Sequence, residues 1–414
     1  MKLHSGKFSW LDTMPYLPEY PALQQNISCD CLIIGGGVGG ALCAYLLAES
    51  GINAALIEKG AVATDSTLAN TGLMQFSNDK TLVSMINTFG EEPGVHFYKM
   101  CREAVSKLVK LSRNLHSEEA HFISRNSLYF ASSEEDLYPL REEYEALRRY
   151  NFPVEWWEKN EISARFSFQK PGAIYNYGDA EGNPFAFAHG LVEAAASKGV
   201  SVYENTEATG FEFQKNGVLC RAGKHKIKAK HVIFAVGYES KQFHKERGSY
   251  LTSSYVTVTE PIDHFDDWFE RCLIWETARP YLYMRTTPDN RIMIGGLDES
   301  LPGGKLDEAR YLHQGQMLLQ MLHQFFPGKR QLKAEYAWGA VFGQSRDGLP
   351  FIGTHPSYPN CYFLEGDGGN GSVYSMIASE MLTDVLQGKD RPDMEWFSPT
   401  RTSRPAPAPN RRRP

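Results

Sequence analysis

Two textures of apolar and polar positions divide the 414 residues of this chain. The first consists of short, almost unbroken apolar runs: "CDCLII" at 29–34, "NAALIE" at 53–58, "HVIFAVG" at 231–237 and "NCYFLEG" at 360–366. A strand without a polar face is buried on both sides, the usual condition of a parallel sheet covered by helices. A helix is expected from about Gly39 to Ser50, between the first two runs. Strand–helix alternation returns at 187–207, where "FAFAHGLVEAAASKG" precedes "VSVYENT". The last run is followed by a glycine loop and the helical "SVYSMIASEMLTDVLQG".

The second texture fills 251–297. There "TSSYVTVTE", "PYLYMRTT" and "RIMIGGL" are alternating, β-branched and aromatic, which predicts an antiparallel sheet. Charge-rich helical stretches are expected at about 91–118 and 133–150. The alternation of textures predicts an α/β chain with two interleaved domains. One is built from 28–90, 171–245 and 336–390 around a mostly parallel sheet. The other is built from 91–170 and 246–335, with an antiparallel sheet and helices. Residues 1–27 form an expected ordered arm and 391–414 a C-terminal tail, whose "RPAPAPNRRRP" is rich in proline and arginine and expected to be disordered. No internal repeat is present.

Composition narrows the function. A formal net charge of −6 disfavours a non-specific nucleic-acid binder, which needs a basic face against phosphates. No apolar run approaches the roughly 20 residues that span a bilayer, so stable membrane insertion is not expected. The N-terminal "MKLHSGKFSWLDTMPYLPEYP" has no signal-peptide core. The seven cysteines, at 29, 31, 43, 101, 220, 272 and 361, are odd in number and scattered, and Cys29 and Cys31 open a buried strand. They read as core residues of a protein in a reducing cytoplasm. The dispersed histidines, His189 and His231 among them, read as packing or surface groups, and no metal-ligand spacing is present.

The candidate chemistry begins at Gly35-x-Gly37-x-x-Gly40, between an apolar strand and a helix. Gly35 permits the tight turn, Gly37 the approach of backbone amides to a pyrophosphate, and Gly40 close packing of helix on strand. The helix N-terminus adds partial positive charge. Glu58 closes the next strand, where a carboxylate accepts from ribose hydroxyls and repels a 2′-phosphate. A dinucleotide other than NADP is expected. The small, hydroxyl-rich "KGAVATDSTLANTGLMQF" that follows suits a long cofactor better than a further regular strand–helix unit.

Across about 28–390 the chain resembles the D-amino-acid oxidase and glycine oxidase family of FAD-dependent oxidoreductases, which includes sarcosine oxidase. The motifs that carry the resemblance are "STLANTG", "YGDAEGNPFAF", "KHVIFAVG" and "WGAVFGQSRDGLPFIG…GDGGNG". It implies that the interleaved domains bind FAD and substrate respectively. Gly35, Gly37, Gly40 and Glu58 would hold the ADP half, Ser66 and Thr67 the pyrophosphate, and Asn70, Thr71 and Gly72 would pass the flavin ring. Ala208 would meet the adenine, and Gly237 would end the strand that closes the nucleotide sheet. Gly368, Gly369, Asn370 and Gly371 would present amides to the flavin, stabilising its anionic reduced form.

The departures from the family shape the substrate expectation. Where glycine oxidases carry a carboxylate-clamping arginine, alignment on Trp338 and Asp347 places Phe342. The carboxylate-binding lysine of sarcosine oxidase is replaced by Val373, its flavin-tethering cysteine by Ala340, and its oxygen-assisting lysine by Met293. Non-covalent FAD is therefore expected, with an amine or N-substituted amino compound as substrate, as in the similar oxidases of polyamine-type conjugates. Hydride would pass from the α-carbon to the flavin, giving an imine that hydrolyses. Tyr255, Tyr281, Tyr283, Phe342 and Tyr374 are candidate pocket residues, with Trp338 beside Phe342 as an aromatic wall. Arg285, more than Arg279, is the candidate anchor should a carboxylate bind after all. The electron acceptor is left open between oxygen and a carrier, and a flavin-dependent step in tRNA modification is a third reading.

Overall fold

The four apolar runs are neighbouring strands of a single sheet in the computed structural model, which describes residues 3–242, 249–300, 308–329, 331–366 and 368–401. Cys361–Glu365, His225–Phe234, Ile27–Ile34, Ala54–Ile57 and Ser201–Tyr203 lie side by side and parallel. Leu32, Ile33, Leu56, Ile233 and Phe363 are fully buried: Ile33, Leu56 and Ile233 pack under helices on one face, and Leu32 and Phe363 pack with residues of Gly217–Ala222 on the other. The helix Val38–Glu49 packs against two others, Pro184–Ser197 and Gly371–Leu386. It buries residues all round its circumference, as a helix without a polar stripe must. Antiparallel strands, Ala208–Gln214 with Gly217–Ala222 and, at the other end, Phe351–Thr354, extend the sheet.

The alternating segments build a larger sheet, antiparallel except where Leu273–Glu276 runs parallel to Ile123–Phe130. Ser249–Thr259, Leu282–Thr286 and Ile292–Ser300 are its centre. The helices Glu91–Ser112 and Leu137–Arg149 fall within the stretches expected for them.

Some segments lie where their texture alone did not put them. Gly172–Glu181 and Ala334–Ser345, which the expected boundaries at 171 and 336 group with the nucleotide segments, both pair in the larger sheet. Ala334–Ser345 alternates buried with less buried positions, the habit of an antiparallel strand with one covered face. The arm is ordered and joins the same sheet: His4–Lys7 pairs with Ala334–Ser345. At the other end, 391–401 is not a loose tail. Pro392–Phe397 forms a 3₁₀ turn with Phe397 buried, and Arg401 makes a two-pronged ion pair with Asp347. The "RPAPAPNRRRP" stretch lies outside the described residues. All seven cysteines are free and buried. Among the described residues no helix is long and apolar enough to cross a membrane.

Candidate active site

The strand Ile27–Ile34 delivers the chain to Gly35, whose φ of +107° suits glycine, and a Cβ there would stand 2.3 Å from the Ala235 carbonyl. Gly40 is needed for a different reason: a Cβ on it would meet the Gly35 carbonyl at 1.8 Å, so helix and strand pack backbone to backbone. Gly37 caps the helix with no side-chain acceptor of its own. The Val38 N–H donates to Thr67 Oγ at 3.0 Å, which seats the 61–72 loop on the helix N-terminus. Glu58 accepts from the Gly36 N–H at 2.7 Å and the Gly60 N–H at 2.9 Å. Burial lifts its carboxyl above the ordinary range, those two amides pulling it back.

Gly35, Gly37, Glu58, Ser66, Thr67, Asn70, Ala208, Gly237 and Gly371 line one cavity beside this turn. The set has the chemistry of an FAD nucleotide half: an open helix N-terminus for phosphate and a fixed carboxylate for ribose. Gly40 and Gly72 lie outside the lining. Gly72 (φ +70°) lets the loop run against the Gly182 carbonyl, which would stand only 2.0 Å from a Cβ on residue 72.

A second cavity shares Ser66, Asn70, Tyr238 and Gly371 with the first, so the two meet along one cleft. Thr71, Gly368, Gly369 and Asn370 form its nucleotide side. Tyr283, Phe342, Ala340, Trp275 and Tyr281 form the side given by the larger sheet. Asp79 carries the formal charge among the described residues of this lining. Burial raises its carboxyl, while Arg279 and the Gly369 N–H pull it down; cavity solvent reaches the side chain and softens the push. Behind it, burial pushes Asp298 up to about 6 against the Ser254 hydroxyl and Arg279, with Asp79 adding to the rise. Burial also raises the Tyr281 and Tyr283 phenols, keeping them neutral donors.

Three expected pocket residues fall outside both linings. Tyr255 is fully buried, its hydroxyl on Glu299 and, at 3.4 Å, Ser253. Its neighbours Ser254 and Val256 line the cavity, so the strand's alternation turns Tyr255 to the opposite face. Tyr374 stands behind the wall, donating to Asn78 Oδ1 at 2.9 Å. Arg285 is 1% exposed and lies 3.8 Å from Glu181, donating to the Gly72 carbonyl at 3.3 Å. It is held inside the protein rather than offered to a substrate carboxylate. Trp338 is likewise beneath the cavity, its indole N–H on the Ala69 carbonyl at 3.1 Å. The lining residues that sequence reasoning passed over are Asp79, Trp275, Ser254 and the polar run Gln75, Ser77 and Asn78. The run follows two residues after "STLANTG", and its density of polar groups beyond the apolar Leu73 and Met74 was the available signal.

A sequence model of the family described as FAD dependent oxidoreductase (DAO) matches residues 30–385. The chain is 26% identical over 385 residues to the glycine oxidase of Geobacillus kaustophilus, covering 90% of this chain and 97% of that one. It is 24% identical over 397 residues to the gamma-glutamylputrescine oxidoreductase of Escherichia coli, covering 94% and 90%. The crystal structure of the Geobacillus kaustophilus glycine oxidase superposes with a TM-score of 0.76 at 22% identity, covering 91% of this chain and 99% of the other.

Proposed function

The chain belongs to the DAO family of FAD-dependent oxidoreductases, and from that premise we propose that it oxidises an amine or N-substituted amino compound whose reacting carbon bears no carboxylate. Bound FAD supplies the acceptor for a hydride from the carbon beside nitrogen, leaving an imine that water hydrolyses. What carries the substrate reading is the charge of the second cavity: its described lining holds Asp79 and neither arginine nor lysine. A carboxylate entering there meets a like charge and no lining cation, and an unpaired carboxylate is costly to desolvate. A cationic amine meets Asp79 beside the rings of Tyr281, Tyr283 and Trp275, a favourable setting for ammonium.

Further in, Val256, Val341 and Phe342 present apolar surface. Desolvation on that surface disfavours the ammonium form and favours the neutral amine that hydride loss requires. Asp79 therefore draws in the cation, and the apolar wall favours its neutral form, the proton passing to solvent. The E. coli relative named for gamma-glutamylputrescine is consistent with this class, and the glycine oxidases are the contrasting case.

The test is anaerobic bleaching of the flavin by a panel of amines, diamines, N-acylated diamines and amino acids. Amines without an α-carboxylate should bleach it, whereas glycine, sarcosine and D-alanine should act slowly or not at all. Rapid bleaching by glycine or sarcosine would overturn the substrate reading while leaving the flavin chemistry intact.

A further inference from the structure

Residues 3–13 precede the segment matched by the family, which begins at residue 30, yet they touch the flavin cleft at several points. The His4 imidazole bonds the Thr64 carbonyl at 2.9 Å, and the Trp10 indole N–H donates to the Asn70 carbonyl at 2.8 Å. Each pair is separated by 60 residues, so the arm runs alongside the 64–70 loop in constant register. Between these points His4–Lys7 is paired to Ala334–Ser345, and the Leu3 carbonyl accepts from the Val341 N–H at 2.8 Å. Leu3 itself lines the nucleotide cavity.

The gripped loop matters because Asn70 lines both cavities. Its side chain accepts from the Gly72 N–H at 2.8 Å and donates to Ser372 Oγ at 3.2 Å. It thus ties the flavin loop to the helix that follows the C-terminal glycine loop. Buried donors from three separate segments hold the backbone here: Trp338 on Ala69, Trp10 on Asn70 and Arg285 on Gly72. Trp10 is 3% exposed and its ring lies 5.3 Å under the Arg285 guanidinium, so the donors brace one another.

We infer that the N-terminal arm is a clamp on the flavin loop, with Trp10 as the positioning residue that fixes Asn70 and so retains FAD. A loop already held in its bound shape loses less freedom when the cofactor arrives, and preorganisation of this kind appears as tighter retention. The inference rests on FAD binding alone and is independent of the substrate reading.

Trp10→Phe keeps the ring and removes the N–H. Release of FAD from the holoenzyme, followed by the rise in flavin fluorescence without substrate, should quicken by about 5- to 150-fold, the equivalent of leaving one buried carbonyl unpaired. The flavin's visible circular dichroism should change as the loop relaxes, while the melting temperature of flavin-stripped protein changes less than that of holoenzyme. Unchanged release and dichroism, or an equal fall of both melting temperatures, would make Trp10 a packing residue and overturn the inference. If the variant does not fold, hydrogen exchange of wild-type residues 3–13 with and without FAD decides the matter. Linkage requires FAD to slow exchange in a clamp that tightens FAD, so equal exchange also overturns it.

Discussion

Asp79 and Gly369 meet at the edge of the second cavity: a Cβ on Gly369 would stand 2.8 Å from Asp79 Oδ2, and the glycine's backbone amide lowers the carboxyl that burial raises. The charge of Asp79 thus lies against the C-terminal glycine loop, and Tyr281 reaches the same place, its hydroxyl 3.4 Å from that Cβ position.

Asp79→Asn should lower kcat/KM for amines by about 10-fold, between the small effect of an exposed pair and the large effect of a desolvated one. FAD retention should be unchanged. The pH profile carries a second signature. Burial raises the Asp79 carboxyl, Arg279 and the Gly369 N–H oppose the rise, and Asp298 and Tyr281 share its surroundings. The ionised form attracts the cation, so kcat/KM in the wild type should fall as pH drops through a value above the ordinary aspartate range. The variant should lose that limb. An identical profile in both proteins would remove Asp79 from substrate recognition.

Ala340 lines the cavity at the position where the resemblance puts sarcosine oxidase's flavin-tethering cysteine. Purified protein should be yellow, and acid precipitation should leave its flavin in the supernatant. Flavin retained in the pellet would mean a tether elsewhere.

The nucleotide half of this cleft was legible because its logic is local. A strand, three glycines, a helix and an acid within 30 consecutive residues each have a role that needs no distant partner. The substrate half was not, because its residues acquire meaning only through register and distance. Tyr283 and Arg285 share one face of their strand by simple alternation, yet Tyr283 lines the cavity and Arg285 lies farther along, beneath Gly72. Asp79 stood in plain view in "QFSNDK", but nothing nearby announces that it will meet Gly369. The C-terminal segment misled for a related reason. It was expected as a tail from 391 onward, whereas Arg401 finds a buried carboxylate 54 positions back; the "RPAPAPNRRRP" stretch expected to be disordered lies outside the described residues.

That pair is itself testable. Burial would raise the Asp347 carboxyl, but Arg401, with both prongs at 2.9 Å, overrides it and holds the group below the usual range. Arg401→Ala leaves Asp347, which is fully buried, without its ion-pair partner and with only the charge of Lys80 nearby, and should cost about 3–5 kcal/mol in urea unfolding. A loss under about 1 kcal/mol would mean that the 391–401 segment is docked too weakly to matter.

Asp179 governs a different pH dependence. Burial pushes its carboxyl up to about 7, against the Ser127 hydroxyl at 2.6 Å and the Phe76 N–H at 3.0 Å. The folded protein keeps this proton between about pH 4 and 7, where the unfolded chain loses it, so the group's contribution to stability falls as pH rises through that window. His189, lowered to about 4 by burial, acts in the opposite sense between about 4 and 6.5. Comparison with Asp179→Asn isolates the aspartate: the variant's stability relative to wild type should increase from pH 5 to pH 8. A difference independent of pH would mean that Asp179 is ionised in the fold throughout.

Phe342 offers the sharpest test of the substrate reading. It lines the second cavity on the strand Ala334–Ser345, opposite Thr252 in the neighbouring strand and on the sheet side facing the glycine loop. Family resemblance puts the carboxylate-clamping arginine of glycine oxidases at this position. Phe342→Arg would supply the cation that the described lining lacks, and glycine and sarcosine should then bind and bleach the flavin faster than in wild type. The gain should stay below the roughly 30- to several-thousand-fold that a matched buried charge pair is worth, because Asp79 lines the same cavity and competes for the new guanidinium. Adding Asp79→Asn to Phe342→Arg should therefore enlarge the gain, a coupling that two independent surface effects would not produce. Simple amines should lose ground in the same variants. If the arginine only lowers the melting temperature, with neither substrate class affected, Phe342 is a packing residue and the selection against carboxylates must come from elsewhere in the cleft.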